Sequence, residues 1–143
     1  QALLRKDWGI AARVFSATSY SELQRDGMAC ERAQRLGAEP RVCRVAQVLG
    51  ADRAPVIAAS DYVRAWPELI RAYVPQRYVT LGTDGFGRSD RRAALRRFFE
   101  VDAEHIVLAA LSALADEGTV HSTLPAQARQ RYGLSDEGEP WRR

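Results

Sequence analysis

The chain has 143 residues, 46% hydrophobic and 27% charged, which are ordinary proportions for one globular domain and exclude a disordered chain. Its net charge of +3 comes from 21 basic and 18 acidic residues, and all the bases but Lys6 are arginine. Five of those arginines and Asp90 fall within Arg88–Arg97, a local +4 that leaves −1 for the rest, so whole-chain charge gives no argument for nucleic-acid binding. The longest apolar run, Ile106–Leu111, is far short of the roughly 20 residues that span a bilayer. Charges at Arg5, Lys6 and Asp7 with no apolar stretch after them do not read as a secretory leader. Two cysteines, Cys30 and Cys43, make no disulfide framework, so a reducing, cytoplasmic setting is expected.

Gln1–Trp8 reads as the end of an amphipathic helix stopped by Gly9, with no start signal before it. Ala12–Ala17 is the first strand candidate, Pro55–Ala59 the second and Tyr78–Gly82 the third. Ser19-Tyr20-Ser21-Glu22 is a capping box opening a helix that runs to Leu36, with Gly27 weakening its middle and Gly37 stopping it. Cys43–Leu49 is a short helix closed by Gly50. Ser60 or Asp61 opens a helix carrying Val63, Trp66, Ile70 and Tyr73 at 3–4 spacing, kinked or restarted at Pro67. Ser89 or Asp90 caps a helix with Leu95, Phe98 and Phe99 inward. Asp102 caps Ala103–Glu117, closed by Gly118, and Ser122–Tyr132 forms the last helix, with Pro125 in its first turn.

Strands separated by helices predict right-handed crossovers and a mostly parallel sheet between helices, a three-layer α/β/α unit. Residues 1–134 are expected to form that domain, cut through at its N-terminus, with 135–143 as a polar tail. The cut predicts that Leu3, Leu4 and Trp8 cover a surface meant to be buried and that the isolated chain self-associates or is marginally stable. Ala103–Glu117, apolar except for a His105–Ser112–Asp116 stripe, is expected to lie between the sheet and another layer.

The stretch most suggestive of chemistry is Gly82-Thr83-Asp84-Gly85-Phe86-Gly87-Arg88-Ser89-Asp90, between a strand and a helix. Its glycine spacing is not the dinucleotide fingerprint, and no Gly-Lys-Ser/Thr follows for a phosphate loop. Asp84 would repel a phosphate. The segment reads as a tight turn at the carboxyl end of a strand, with a glycine at positive φ. Thr83, Asp84, Gly85, Phe86, Gly87, Arg88 and Ser89 are the candidate partner-contact loop. The arginines of Arg88–Arg97 read as a solvated helix face; the alternative is a stand-alone module that grips an acidic partner or nucleic acid through them, and it lacks interleaved aromatics. An independent nucleotide-binding enzyme would rest on the glycine loop alone. His105 and His121 read as surface residues. Cys30 reads as a small buried hydrophobe. The scattered histidines and cysteines match no zinc spacing, and no Gly-x-Ser-x-Gly elbow is present.

Several runs carry a resemblance: Ser60-Asp-Tyr-Val-Arg-Ala-Trp66, Val74-Pro-Gln-Arg-Tyr-Val-Thr-Leu-Gly-Thr-Asp-Gly-Phe-Gly-Arg-Ser-Asp90 and Leu95-Arg-Arg-Phe-Phe-Glu-Val-Asp102. Upstream, Phe15–Leu23, Asp26-Gly27 and Cys30-Glu31-Arg32 add to them, and Ile106–Gly118 adds to them downstream. Over residues 8–118 the chain resembles the C-terminal domain of the homodimeric pyruvate dehydrogenase component. That is the thiamine-diphosphate-dependent, decarboxylating subunit of the bacterial pyruvate dehydrogenase complex. The departures are local: Ala33-Gln34 and Cys43-Arg44 stand where such domains carry Trp-Asn and Pro-Tyr.

The resemblance implies a transketolase C-terminal-like fold with a mixed five-stranded sheet and a homodimeric parent that decarboxylates pyruvate and passes the acetyl group to a lipoyl arm. It implies thiamine diphosphate and magnesium in the full-length enzyme and none in this chain. The family's cofactor signature, Gly-Asp-Gly followed by Asn-Asn, is absent: Thr83-Asp84-Gly85 lacks the first glycine and the chain contains no Asn. No catalytic, cofactor-binding or metal residue maps onto it. The implied partners are other domains of the same chain, the homodimer partner and the dihydrolipoamide acetyltransferase core, with no nucleic acid and no membrane.

Overall fold

A computed structural model describes residues 1–50, 52–135 and 139–142. In chain order they form α1 (Ala2–Trp8), α2 (Tyr20–Arg35), α3 (Arg44–Leu49), β1 (Val56–Ala59), α4 (Ala65–Glu68), a 3-10 turn (Arg71–Tyr73), β2 (Tyr78–Leu81), α5 (Arg92–Phe98), α6 (Ala103–Asp116), α7 (Leu124–Arg131) and a second 3-10 turn (Pro140–Arg142). The two strands pair in parallel, from Val56 opposite Tyr78 to Ala59 opposite Leu81. Alternation along a strand sends successive side chains to opposite faces. Val56, Ala58 and Tyr78 therefore meet α2 and α3 in one apolar cluster with Cys43, Val45, Ile70 and Val74. Helix α6 contacts both strands without joining that cluster and so takes the other face, where Val107 and Leu111 pack with Leu4 of α1 and Ala128 of α7. The result is an α/β fold with helices on both faces of a small parallel sheet.

The helix ends follow their local chemistry. Ser19 Oγ accepts the Glu22 backbone N–H at 3.3 Å, half of the capping box, while the Glu22 carboxylate turns outward to Arg25. Asp102 Oδ1 accepts the His105 backbone N–H at 2.9 Å and starts α6. Gly9, Gly37, Gly118 and Gly133 stop α1, α2, α6 and α7 at positive φ, where a side chain costs energy. Helix α5 closes the same way on Glu100, at φ 58: Glu100 N–H reaches the Arg97 carbonyl and Val101 N–H the Arg96 carbonyl, a Schellman closure without glycine. That residue bears a left-handed cost of about 1 kcal/mol, held in place by Val101, which is fully buried.

Three expectations are corrected. Ala12–Ala17 is not a strand: it is irregular, with Val14 71% and Phe15 51% exposed. A strand exists only with a ladder partner, and among the described residues this segment has none; Arg13 instead pairs with Asp52 and lies over the Phe15 ring. The helix placed after Ser60 begins four residues later and lasts one turn. Ser60 Oγ accepts the Tyr62 N–H in a local turn, Val63 and Trp66 are exposed, and only Ile70 of the apolar stripe is buried. Pro67 lies in the first turn of α4, where its missing N–H costs nothing.

Third, α1 is not left uncovered. Leu4 is buried, and Leu3 and Trp8 pack onto α6 and α7. Trp8 Nε1–H donates to the Tyr132 hydroxyl at 2.8 Å, which donates to Asp7 Oδ2 at 2.9 Å, while Arg131 grips Asp7 Oδ1 at 2.8 Å. Helix α6 lies between the sheet and α1 and α7, as its apolar circumference predicts. The polar tail, 135–143, lies partly outside the described residues. Within them, Glu139–Arg142 includes a turn whose Pro140 is buried.

Candidate functional site

The glycine loop leaves the carboxyl end of β2 and folds back on the start of α4. Gly82 passes so close to that segment that a Cβ would lie 2.7 Å from the Arg64 nitrogen and the Tyr62 carbonyl oxygen. Thr83 N–H donates to the Tyr62 carbonyl at 2.9 Å and its hydroxyl to the Asp61 carbonyl at 3.2 Å. Asp84 Oδ1 accepts the Arg64 backbone N–H at 3.2 Å, and Oδ2 accepts Arg64 Nε at 2.7 Å. The acid in the loop thus occupies the position at the start of α4 that a ligand anion would need. Gly85, at φ 110, lies against the Pro140 carbonyl, which closes the C-terminal turn over the loop. The positive-φ glycine expected in this turn is Gly85. Phe86 is 77% exposed, Gly87 and Ser89 are exposed, and the Arg88 guanidinium stacks 4.1 Å from the Phe98 ring centroid.

Beside the loop is an open groove of about 530 Å³ between α4 and β2. Its centre is Glu68, which takes two bonds from Arg71 and one from the buried Thr80 hydroxyl. Arg71 also reaches the Tyr78 carbonyl at 2.9 Å, and the Tyr78 hydroxyl donates to the Pro67 carbonyl at 2.9 Å. The Arg71 hydrogen bond, working against desolvation and aided by Thr80, pulls the Glu68 carboxyl down to about 2. This network is absent from the sequence reading. The Glu68–Arg71 spacing of three was its one visible signal, because Thr80 joins only through the strand crossing.

The Arg88–Arg97 run is not a continuous solvated face. Arg92 and Arg96 both face the Asp61 carboxylate, at 3.3 and 3.2 Å. Arg97 reaches Asp102 at 3.3 Å and the Tyr132 and Gly133 carbonyls at 3.0 and 2.8 Å, tying α5 to the end of α7. With Arg88 on Phe98, most of the local +4 is spent on the chain's own acids, carbonyls and rings. The reading as a phosphate or acidic-partner grip has no support in this arrangement.

His105 is corrected from a surface residue to one whose side chain is 12% exposed, its Nδ1 2.6 Å from Asp102 Oδ1. Burial disfavours ionised Asp102, but the His105 backbone and ring bonds and Arg97 outweigh it and hold the carboxyl low. His121 is exposed and bonds Thr123 locally. Cys30 is half-buried against the α2–α3 core, the small-hydrophobe position expected of it. Among the described residues no three His, Cys, Asp or Glu side chains are grouped to hold a metal, and no helix is long and apolar enough to cross a membrane.

Glu68 and Asp102 carry an acid prediction. Their carboxyls are lowered from 4.5 and 3.8, so their stabilisation is fully present above those values. It is lost as pH falls through the folded values, about 2 for Glu68. Urea midpoints measured from pH 6 to pH 2 should fall mainly below pH 4.5. Glu68→Gln should be less stable at pH 6 and should lose less on acidification; parallel curves would show that the network carries no linkage.

A small parallel sheet with helices on both faces and a glycine loop at a strand's carboxyl end makes this an α/β unit. The transketolase-like TK C-terminal domain model matches residues 1–102, and the chain belongs to that family. The chain is 51% identical over 138 residues to the pyruvate dehydrogenase E1 component of Pseudomonas aeruginosa, covering 94% of this chain and 16% of that protein. It is 52% identical over 134 residues to that of Cupriavidus necator and 45% identical over 135 to that of Escherichia coli K12, covering 92% of this chain and 15% of each protein. The chain therefore spans about a sixth of the length of these curated relatives.

Proposed function

We propose that this chain is the C-terminal domain of a bacterial, cytoplasmic pyruvate dehydrogenase E1 component, with an assembly role and no catalytic residue of its own. The observation that carries the reading is the near-half identity, over almost the whole chain, to proteins of that name. The parent would decarboxylate pyruvate and hand the acetyl group to the lipoyl arm of an acetyltransferase core, as a homodimer. Thiamine diphosphate with magnesium would supply the electron sink there.

The residues here do not fit that cofactor. The chain has no Asn, and Asp84, the acid of its nearest likeness to the cofactor motif, is committed to Arg64. Residues 1–134 are proposed as the folded unit, since α6 and α7 complete the core begun by α1. The test uses two proteins in parallel. Calorimetry of the isolated chain with thiamine diphosphate and magnesium should give no saturable heat. The full-length protein carrying this chain should bind the cofactor and release carbon dioxide from pyruvate. A parent inactive on pyruvate would overturn the reading, and a saturable heat from the chain alone would overturn the assembly role.

We assign Thr83–Ser89 the role of a contact with the parent's other domains or its dimer partner. Exposed Phe86 stands at its tip, and the loop is held from behind by Arg64 and Pro140. Exposed Trp66, Tyr62 and Trp141 extend the apolar surface around it. Phe86→Asp in the full-length protein should raise the monomer fraction in sedimentation or loosen domain packing seen by limited proteolysis, with the chain's own unfolding midpoint unchanged. No change in either assay would remove the loop from the interface.

A further inference from the structure

Helix α3 starts on a staple. Asp26 Oδ2 of α2 accepts the Arg44 backbone N–H at 2.6 Å, and Asp26 Oδ1 meets Arg41 Nη2 at 3.1 Å. Residues 41–44 are thereby drawn onto one face of α2. Cys30 lies four residues beyond Asp26, one turn along that same face. Cys43 immediately precedes the stapled N–H and is the cap residue of α3. Both cysteines are free, both belong to the same apolar cluster, and both line one groove of about 280 Å³ that also borders Gly27, Ala46 and Tyr73. Among the described residues no third ligand joins them to make a metal site, so the chemistry of the place is that of a dithiol.

We propose that Cys30 and Cys43 are a redox-responsive thiol pair that closes a disulfide between α2 and the start of α3 when the protein meets a hydroperoxide. The peroxide is the two-electron oxidant. The more open Cys30 thiolate attacks a peroxide oxygen, the O–O bond breaks, hydroxide (or alkoxide) leaves and takes the thiol's proton, and Cys30 becomes a sulfenic acid. The Cys43 thiolate then attacks the Cys30 sulfur, the S–O bond breaks, and water leaves with the second thiol proton. Two electrons pass from the two sulfurs to the peroxide. A reductant of the dithiol class reverses the bond by exchange.

Desolvation raises the Cys30 thiol, Arg41 counters it, and Asp26 and Cys43 add to the rise. Cys30 accordingly rests as the protonated thiol at neutral pH, and closure is faster as pH rises, because the thiolate is the attacking form. The bond would enclose residues 31–42 in a covalent loop and lock the turn between α2 and α3.

Peptide mapping of the full-length protein that carries this chain tests the proposal. After hydrogen peroxide, alkylation and trypsin, Asp26–Arg32 should appear joined to Val42–Arg44, lighter by two hydrogens than the sum of the two. Both single alkylated peptides should fall in step, and dithiothreitol should restore them. Cys43→Ser should abolish the joined peptide and leave Cys30 trappable by dimedone. Cys30→Ala, a small change at a half-buried site, should abolish the joined peptide while leaving Cys43 alkylated to the unoxidised level. Independent oxygen uptake at the Cys30 and Cys43 sulfurs, located by fragmentation apart from Met28, with no joined species would overturn the pair. So would either cysteine appearing joined to another cysteine of the protein in place of its partner here.

Discussion

Leu111→Ala should cost about 3 kcal/mol of unfolding free energy, within the range of large-to-small changes at fully buried leucines. Leu111 is 0% exposed and lies on α6, the helix that touches both strands, α1 and α7. Removing its side chain opens a void among Leu4, Val107 and Ala128, and the three elements that line it come from opposite ends of the chain. Little local collapse is available, because α1 and α7 are pinned to each other through Trp8, Tyr132 and Asp7. Urea unfolding followed by tryptophan fluorescence measures the loss, and a fall in melting temperature of about 10 °C accompanies it at this chain length. A change below about 1 kcal/mol would mean that α6 is not the common core of the fold.

Gly27→Ala should destabilise the chain by about 2 kcal/mol, although alanine is the better helix former by about 1 kcal/mol. Gly27 is buried in the middle of α2, and a Cβ there would lie 2.4 Å from the Tyr73 ring. The ring cannot turn away freely, since Tyr73 packs against the Cys43–Ile70–Val74 core. The sign of the effect is diagnostic. In a Tyr73→Ala background the same substitution should become neutral or stabilising, because only helix propensity remains. Destabilisation that persists without the Tyr73 ring would place the cost elsewhere. Guanidinium titrations of the four variants of the cycle separate the two terms.

The glycines divide between those that local sequence explains and those that only packing explains. Gly9, Gly37 and Gly118 are legible as helix stops, because stopping is decided within a few residues by backbone freedom, and each is found at positive φ. Gly27 looks in the sequence like a weak point in a helix. Its reason is a ring 46 residues away in the chain, which no local pattern can show. Val56–Ala59 and Tyr78–Leu81 were readable as strands from their branched and aromatic runs. Ala12–Ala17 also carries a branched and an aromatic residue, Val14 and Phe15, and is no strand, because strand identity belongs to a pair.

The candidate site divides along the same line. Composition and turn chemistry placed Thr83–Ser89 at the carboxyl end of a strand and required a glycine at positive φ, and Gly85 fills that role. That Asp84 would be turned to Arg64, and that Pro140 would close over Gly85, needed contacts spanning 20 and 55 residues. From its helical stripe alone His105 reads as a surface residue, while the residue that holds its ring nitrogen in a hydrogen bond, Asp102, is the cap three residues earlier. The sequence alone determined the Ser19 and Asp102 caps, the glycine stops of α1, α2 and α6, two of the strands, the position of the loop and the absence of a cofactor motif, all properties set within one turn or one strand. Tertiary structure alone decided which acids the arginines neutralise, which thiols share a groove and which glycine makes room for a ring. Those depend on the distance between groups far apart along the chain, and only packing fixes that distance.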